Sequence, residues 1–367
     1  MSVRRQVQGV IARDPCSQVV VEEVTLPPLE SNEVLIRVTA CGLCHSDVHF
    51  MRGTSARNFP YLLGHEATGI VEQVGSQCSS VRIGEAVVVA PVSACGTCKK
   101  CRAGRRAACP TRLLTDKAHV RLQDGSTGER VLGVGGLAEY VLVPERNVVP
   151  VDEHVPPVVA ALFGCSLPTG YGAAVHTAQT VPGDDVVVVG CGGVGVAAIA
   201  GARSAGAERV VAVDNNPRRL PTARRFGATS VVDASERDVV TAVSAILGSK
   251  GPDVVIDAVG GARSFAQCMR LHGLGTRWVI VGAPSATDVA TFALREFFIA
   301  GGQLAVSIWG DCDARVDIPQ LASSYQRGEL PLDDLVTRVP GLAEVGAAFE
   351  ALLAGELVRP VVDLSEG

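Results

Sequence analysis

The sequence predicts an α/β chain of two domains, one β-rich and the other built on a doubly wound parallel sheet. Three observations predict it. Up to about residue 150, short β-type segments alternate with turns. From about Val181, apolar strands alternate with helical stretches. Between the first strand and first helix of that second region lies the turn Gly190-Cys191-Gly192-Gly193-Val194-Gly195.

The β-rich part contains Val34–Ala40, Gly69–Val74, Ala86–Pro91 and Ala138–Val143, each bounded by Gly, Pro, Asn or Asp, with no sustained helical period. A small barrel or sandwich is expected there. The second part offers six strands: Asp185–Gly190, Arg209–Asp214, Ser230–Asp233, Asp253–Ala258, Arg277–Val281 and Gln303–Ile308. Segments such as Gly193–Ala205 and Pro217–Phe226 are long enough for crossover helices. After about Trp309 one helix, Pro319–Arg327, and short extended pieces are expected to rejoin the first domain. The uncharged run Val186–Ala202 is closed by Asp185 and Arg203 and holds five glycines, so it reads as a buried strand entering a helix rather than a membrane span.

The 367 residues suffice for two cores, and the scarcity of aromatics (4%) suits buried parallel strands. A formal charge of −5 leaves no electrostatic footprint for nucleic acid. The N-terminus lacks the apolar core of a signal peptide, and a soluble, cytoplasmic protein is expected. Twelve cysteines in that compartment mean metal ligands and reduced thiols rather than disulfides.

Four of those cysteines, Cys95, Cys98, Cys101 and Cys109, stand among Lys99, Lys100, Arg102, Arg105 and Arg106. Thiolates at this density close a tetrahedral shell around one Zn²⁺ with no position open, and nearby cations favour the thiolate. Such a shell staples a loop and does no chemistry. A redox or disulfide cluster is the rival, disfavoured without a secretory signal.

The glycine turn carries a different chemistry. Gly190 permits the tight turn, Gly192 allows a pyrophosphate close to the backbone, and Gly195 allows close helix–strand packing; Gly193 and Val194 complete it at the helix N-terminus. Asp214 ends the next strand, where a carboxylate accepts from ribose hydroxyls and repels a 2′-phosphate, so NAD is favoured over NADP. Three further candidates, Cys44, His65 and Cys165, sit among small or turn-forming residues and read as ligands aimed from loops. Together they form a three-ligand zinc set whose fourth position stays free for water or substrate.

CGLCHSDVH, GHE, the four-cysteine run, GCSLPTGYG and GCGGVG occur in the order and spacing of the zinc-dependent medium-chain alcohol dehydrogenases, which the chain resembles over essentially its whole length. The likeness is to class I and III types, with a Val/Arg/Ala-rich composition similar to bacterial, actinobacterial members. It implies a GroES-like catalytic domain over residues 1–165 with a structural-zinc lobe at about 93–112. A Rossmann domain would follow over 166–308, with a return to the catalytic domain over 309–367. The resemblance makes Cys44, His65 and Cys165 ligands of a catalytic zinc, Glu66 the acid behind it, and Asp47 the carboxylate orienting the histidine. Ser46 and His49 match a proton relay running by way of the cofactor ribose. His45 and Arg359 match cations against the pyrophosphate, and Thr169 and Val194 match the pair packed on the nicotinamide.

Two zinc ions and NAD per chain are thereby implied, with hydride transfer between an alcohol, or an aldehyde adduct, and NAD. The resemblance also implies a homodimer or homotetramer with Gln303–Ile308 as an interface strand. Cys165 stands where polyol-type members often carry glutamate, and Pro91 where several members place an aromatic, so a differently shaped pocket is expected. Two rival readings are a same-fold reductase of an activated C=C or C=N bond and a catalytically silent NAD-binding protein. Retention of Ser46, His49 and the open ligand set favours alcohol chemistry.

Overall fold

The computed structural model describes residues 4–55, 58–104, 106–113 and 119–365. Arg105, expected beside the cysteine cluster, lies outside the described residues. The chain divides into two compact units: residues 1–165 with 313–367, and the contiguous segment Ser166–Cys312.

The first unit is β-rich, as its turn-broken sequence requires. Strands Arg5–Ala12, Val20–Leu26, His119–Leu122, Thr127–Arg130 and Tyr61–Leu62 close a barrel in that spatial order. A second sheet runs Val148–Pro150, Ala86–Val89, Glu66–Val74, Glu33–Gly42, Arg359–Asp363, Val336–Pro340, and Tyr140–Pro144 also pairs with Glu33–Gly42. Its core gathers the inward residues Ile36, Val38, Leu63, Val71, Val87 and Val362, with Phe349 of a C-terminal helix packed among them.

One register in that sheet juxtaposes two segments distant in sequence. Gly42, the last residue of its strand, lies opposite Glu66, the first of its own. The chain just beyond Gly42 and the chain just before Glu66 are therefore held side by side. On the other edge Val361 lies opposite Gly42 in an antiparallel ladder, so Arg359 falls at the same end of the sheet.

The second unit is a six-stranded parallel sheet in the order Ser230–Asp233, Arg209–Asp214, Asp185–Val189, Val254–Asp257, Arg277–Ile280, Gln303–Val306. The sequence order reverses at Asp185–Val189, the doubly wound arrangement expected. Val186, Val187 and Val188 are all fully buried because helices cover both faces of this central strand. The run Val186–Ala202 is thus a buried strand, a glycine turn and the buried helix Gly193–Ser204. Among the described residues no single helix is long and apolar enough to cross a membrane.

The structure corrects the helix expectations in three places. The helix expected from Pro319 begins five residues earlier, at Ala314, capped by the Asp313 carboxylate on the Arg315 N–H, so Pro319 lies inside it. A second C-terminal helix, Val345–Leu353, was not anticipated, although Val345, Ala348, Phe349 and Leu352 form its buried stripe at helical spacing. The stretch SLPTGYG, for which no element was expected, is the helix Ser166–Gly172, continued by a wider turn over Ala173–Thr177. Its glycines serve packing: a Cβ on Gly170 would overlap the Val194 carbonyl oxygen.

Candidate active site

Cys44, His65 and Cys165 converge in the first unit. The Gly42–Glu66 register delivers two of them, since Cys44 follows one strand by two residues and His65 immediately precedes the other. Cys165 arrives from the short turn Ala161–Gly164, which packs so closely on the sheet that a Cβ on Gly164 would come 3.1 Å from Glu66 Cα and from the Val89 carbonyl oxygen. Donor atoms of Cys44, His65, Glu66 and Cys165 all lie within 4.8 Å of one another. The ligands do not all sit on loops, because Cys44 is the N-cap of the helix His45–Met51.

Asp47, fully buried, ties this geometry together. Its carboxylate accepts from Gly64 N–H at 2.9 Å, Cys44 N–H at 3.2 Å and His65 Nδ1 at 3.3 Å. With Nδ1 donating to a carboxylate, the lone pair of His65 points out through Nε2, which is buried and has no protein partner. An orphaned imidazole nitrogen between two thiols is a strong donor set for a borderline-soft cation such as Zn²⁺. The side chains carry the proton distribution that a cation would replace. Cys44 is held well below the ordinary thiol range by Cys165 and, against its burial, by His65, while the Cys44 partner and burial push Cys165 well above it. Burial opposes charge on His65, but Asp47 and Cys44 outweigh it and raise its pKa well above the usual imidazole range.

Behind the ligands lies Glu66, completely buried, its Oε2 accepting from Arg359 Nη2 and its Oε1 without a partner. Burial lifts its carboxyl to about 7 even though the Arg359 charge opposes the rise. Gly42 is required here, since any Cβ would run into the Glu66 carboxylate. Arg359, expected against a pyrophosphate, is instead 3% exposed with its guanidinium on Glu66. Residues 293 apart in sequence offered no signal of this pair.

Ser46 and His49 occupy one face of the helix His45–Met51 at i, i+3 spacing. Ser46 Oγ lies 3.8 Å from Cys44 Sγ, and His49 Nδ1 is 3.0 Å from Thr54 Oγ1, a partner not anticipated from the sequence. His45 is on the exposed side of this helix.

The four cysteines of the other cluster also converge. Backbone N–H groups are aimed at sulfur throughout: Cys98 N on Cys95 Sγ at 3.4 Å, Cys101 N on Cys98 Sγ at 3.5 Å, and Cys95 N on Cys109 Sγ at 3.4 Å. Bonds from Thr97 and Cys98 bring the Cys95 thiol down to about 5. This is a shell suited to a thiolate-bound cation, with every protein ligand already in place. The lobe is fastened to the first unit by an ion pair from Arg106 to Asp313.

In the second unit Gly190 has φ +92, a conformation that disfavours any other residue, and a Cβ on Gly195 would overlap the Gly190 carbonyl oxygen. Nothing lies within 4 Å of a Cβ built on Gly192, so the ribbon is bare where a phosphate would approach. The N–H groups of Gly193, Val194 and Gly195 open the helix without intrahelical partners. Asp214 is 5% exposed; it accepts from Cys191 N–H at 2.6 Å and Asn216 N–H at 2.7 Å, with Arg219 Nη1 at 3.7 Å. Its oxygens keep lone pairs for hydroxyl donors. The bare Cα of Gly170, next to Thr169 in sequence, lets its helix approach the Val194 carbonyl oxygen. These features fit an adenine dinucleotide, as the fold implies.

Comparison with known proteins gives consistent findings. Residues 30–153 match the alcohol dehydrogenase GroES-like domain, and residues 193–326 match the zinc-binding dehydrogenase domain. Rat alcohol dehydrogenase 6 is 32% identical over 364 residues, 95% of each chain. A probable S-(hydroxymethyl)glutathione dehydrogenase 1 of Schizosaccharomyces pombe is 30% identical, covering 97% of this chain and 95% of that one. Benzyl alcohol dehydrogenase from Acinetobacter calcoaceticus superposes with a TM-score of 0.90 at 26% identity, over 98% of this chain and 99% of that one.

Proposed function

Because the chain belongs to the zinc-binding medium-chain alcohol dehydrogenases, we propose that it oxidises an alcohol to the carbonyl compound, reversibly, with NAD as hydride acceptor. The observation that carries this reading is the partnerless Nε2 of buried His65 set between the Cys44 and Cys165 thiols. Cys44, His65 and Cys165 would hold a catalytic zinc, and Cys95, Cys98, Cys101 and Cys109 a structural one, making two per chain. Zinc in the first set supplies Lewis acidity, favouring the negative charge that develops on a carbinol oxygen near neutral pH.

The chain's own residues divide the remaining work. Asp47 fixes the His65 ring and raises its basicity. Ser46 accepts the hydroxyl proton of the alcohol, and His49, one turn further along the same face, takes it towards solvent. The hydride leaves the carbinol carbon, so a two-electron oxidation of the alcohol balances reduction of NAD with release of one proton. Gly190, Gly192, Gly193, Val194 and Gly195 would cradle the pyrophosphate, Asp214 would bind the adenosine ribose, and Thr169 with Val194 would pack on the nicotinamide. His45 and Arg359 would serve as pyrophosphate cations, Arg359 with the guanidinium N–H groups that its Nη2 bond to Glu66 leaves over.

The chain would assemble with a second copy of itself. Leu294, Phe298 and Ile299 on the helix Leu294–Ala300 are 72%, 82% and 59% exposed, beside the edge strand Gln303–Val306. Pairing that edge with its equivalent would cover them in a homodimer or homotetramer. The twelve free cysteines suit a reducing cytoplasm. A panel of primary alcohols, aldehydes and thiol–formaldehyde adducts, offered with NAD and NADP and followed by nicotinamide absorbance, tests the proposal. Turnover of activated alkenes or imines, with none of alcohols, would overturn it.

A further inference from the structure

His49 ends its helix in a turn that folds the chain back over its own ring. Arg52 N–H bonds to the Val48 carbonyl at 2.9 Å, Gly53 adopts φ +65, and Thr54 N–H returns to the His49 carbonyl at 2.9 Å. The Thr54 hydroxyl is thereby held at two places at once, 3.1 Å from the His49 carbonyl oxygen and 3.0 Å from His49 Nδ1. A hydroxyl has one proton and can donate only once. If it donates to the carbonyl, its lone pair accepts from Nδ1–H and both contacts are hydrogen bonds. If it donates to Nδ1 instead, the carbonyl contact sets two acceptors against each other. The first arrangement makes two bonds where the second makes one.

We propose that Thr54 is a positioning residue that fixes His49 in its Nδ1–H tautomer, so that Nε2 is the only ring atom free to take a proton. The inference rests on the relay role proposed for His49 and adds its direction. A neutral imidazole accepts at one nitrogen only, and without a partner on Nδ1 the two tautomers interconvert and a fraction of the rings present the wrong atom. Thr54 removes that fraction.

The test uses the full chain with ¹⁵N-labelled histidine and long-range ¹H–¹⁵N correlation spectra above the imidazole titration. Among the seven histidines, His49 is assigned by the signal that disappears in His49→Gln. The expected result is an Nδ1–H pattern for His49 in the parent and in Thr54→Ser, shifting towards the Nε2–H form in the near-isosteric Thr54→Val. Alcohol oxidation in Thr54→Val should show a kcat reduced by about 10-fold to 10²-fold, up to the low end of what a positioned acid–base group contributes, with KM unchanged and with recovery in Thr54→Ser. An Nε2–H pattern in the parent, or a Thr54→Val spectrum identical to it, overturns the proposal. The spectra need no substrate, so the tautomer is decided independently of the reaction. Undiminished alcohol turnover in His49→Gln would instead overturn the relay itself.

Discussion

Replacing Asp47 by asparagine removes one charge at constant size from a fully buried position, at a cost set by three hydrogen bonds. Asp47 Oδ1 accepts from Gly64 N–H and His65 Nδ1, while Oδ2 accepts from Cys44 N–H. An amide has one acceptor oxygen. If it faces Gly64 and His65, its NH₂ is turned on the Cys44 N–H, leaving a buried donor unpaired at a cost of about 1–3 kcal/mol. The ring of His65 also loses the negative partner that strengthens its Nε2 donor. Carboxylates in this relation to a ligand histidine are worth about 10- to 100-fold in metal affinity, or about 1.4–2.8 kcal/mol. Equilibration of purified protein against a chelator of known affinity, with zinc counted per chain, reads the effect directly. The four-cysteine lobe serves as internal reference and should keep its zinc, while the second equivalent leaves at chelator concentrations that the parent tolerates. Parent-like affinity for both equivalents in Asp47→Asn would refute the reasoning.

Three other outcomes are expected. Asp214→Ala should raise the KM for NAD by about tenfold, the worth of a lost charged acceptor, and relax discrimination against NADP, as read from the ratio of kcat/KM values; an unchanged ratio counts against the ribose role. Cys98→Ala should release one zinc per chain and open the lobe around residues 93–112 to limited proteolysis, because a structural zinc shell contributes directly to folding; a retained second zinc argues against it. Phe298→Glu places a charge on the 82%-exposed centre of the apolar helix face and should lower the mass measured by light scattering to that of one chain, with the fold intact by circular dichroism; an unchanged mass removes this face from the interface.

Much of the second unit was legible because each of its elements carries a local signal. Central parallel strands are apolar on both faces, and only a glycine at position 190 tolerates the positive φ of the turn. The candidate metal ligands were legible as types. Their convergence comes from the Gly42–Glu66 register, which no local pattern encodes. Pro319 misled the helix boundary because proline is favoured in a first turn, whereas here Asp313 supplies the cap and the helix accommodates the ring. The stretch SLPTGYG carries no helical signal, being rich in glycine and proline. Tertiary packing on the helix Gly193–Ser204 overrides that composition, and the glycines that weaken the helix are the ones that allow the approach. The Glu66–Arg359 pair was out of reach, since a glutamate and an arginine near opposite ends of a chain look like any other surface charges.

The strand Arg359–Asp363 bears on the order in which the protein is made. Ser166–Cys312 is complete in one continuous stretch, so a nascent chain can close that unit while still attached to the ribosome. The other unit has to wait. Until Arg359–Asp363 has been made, Ala40–Gly42 lack a neighbour along one edge and Glu66 is a carboxylate entering the interior with no counter-charge. The four candidate ligands of the cysteine lobe lie within a span of fifteen residues between Cys95 and Cys109 and can gather early, whereas Glu66, beside Cys44, His65 and Cys165, is charge-paired only once Arg359 has been made. Premature termination anywhere before Arg359 would then leave a folded parallel-sheet unit attached to a β-rich unit whose buried Glu66 has no cationic partner.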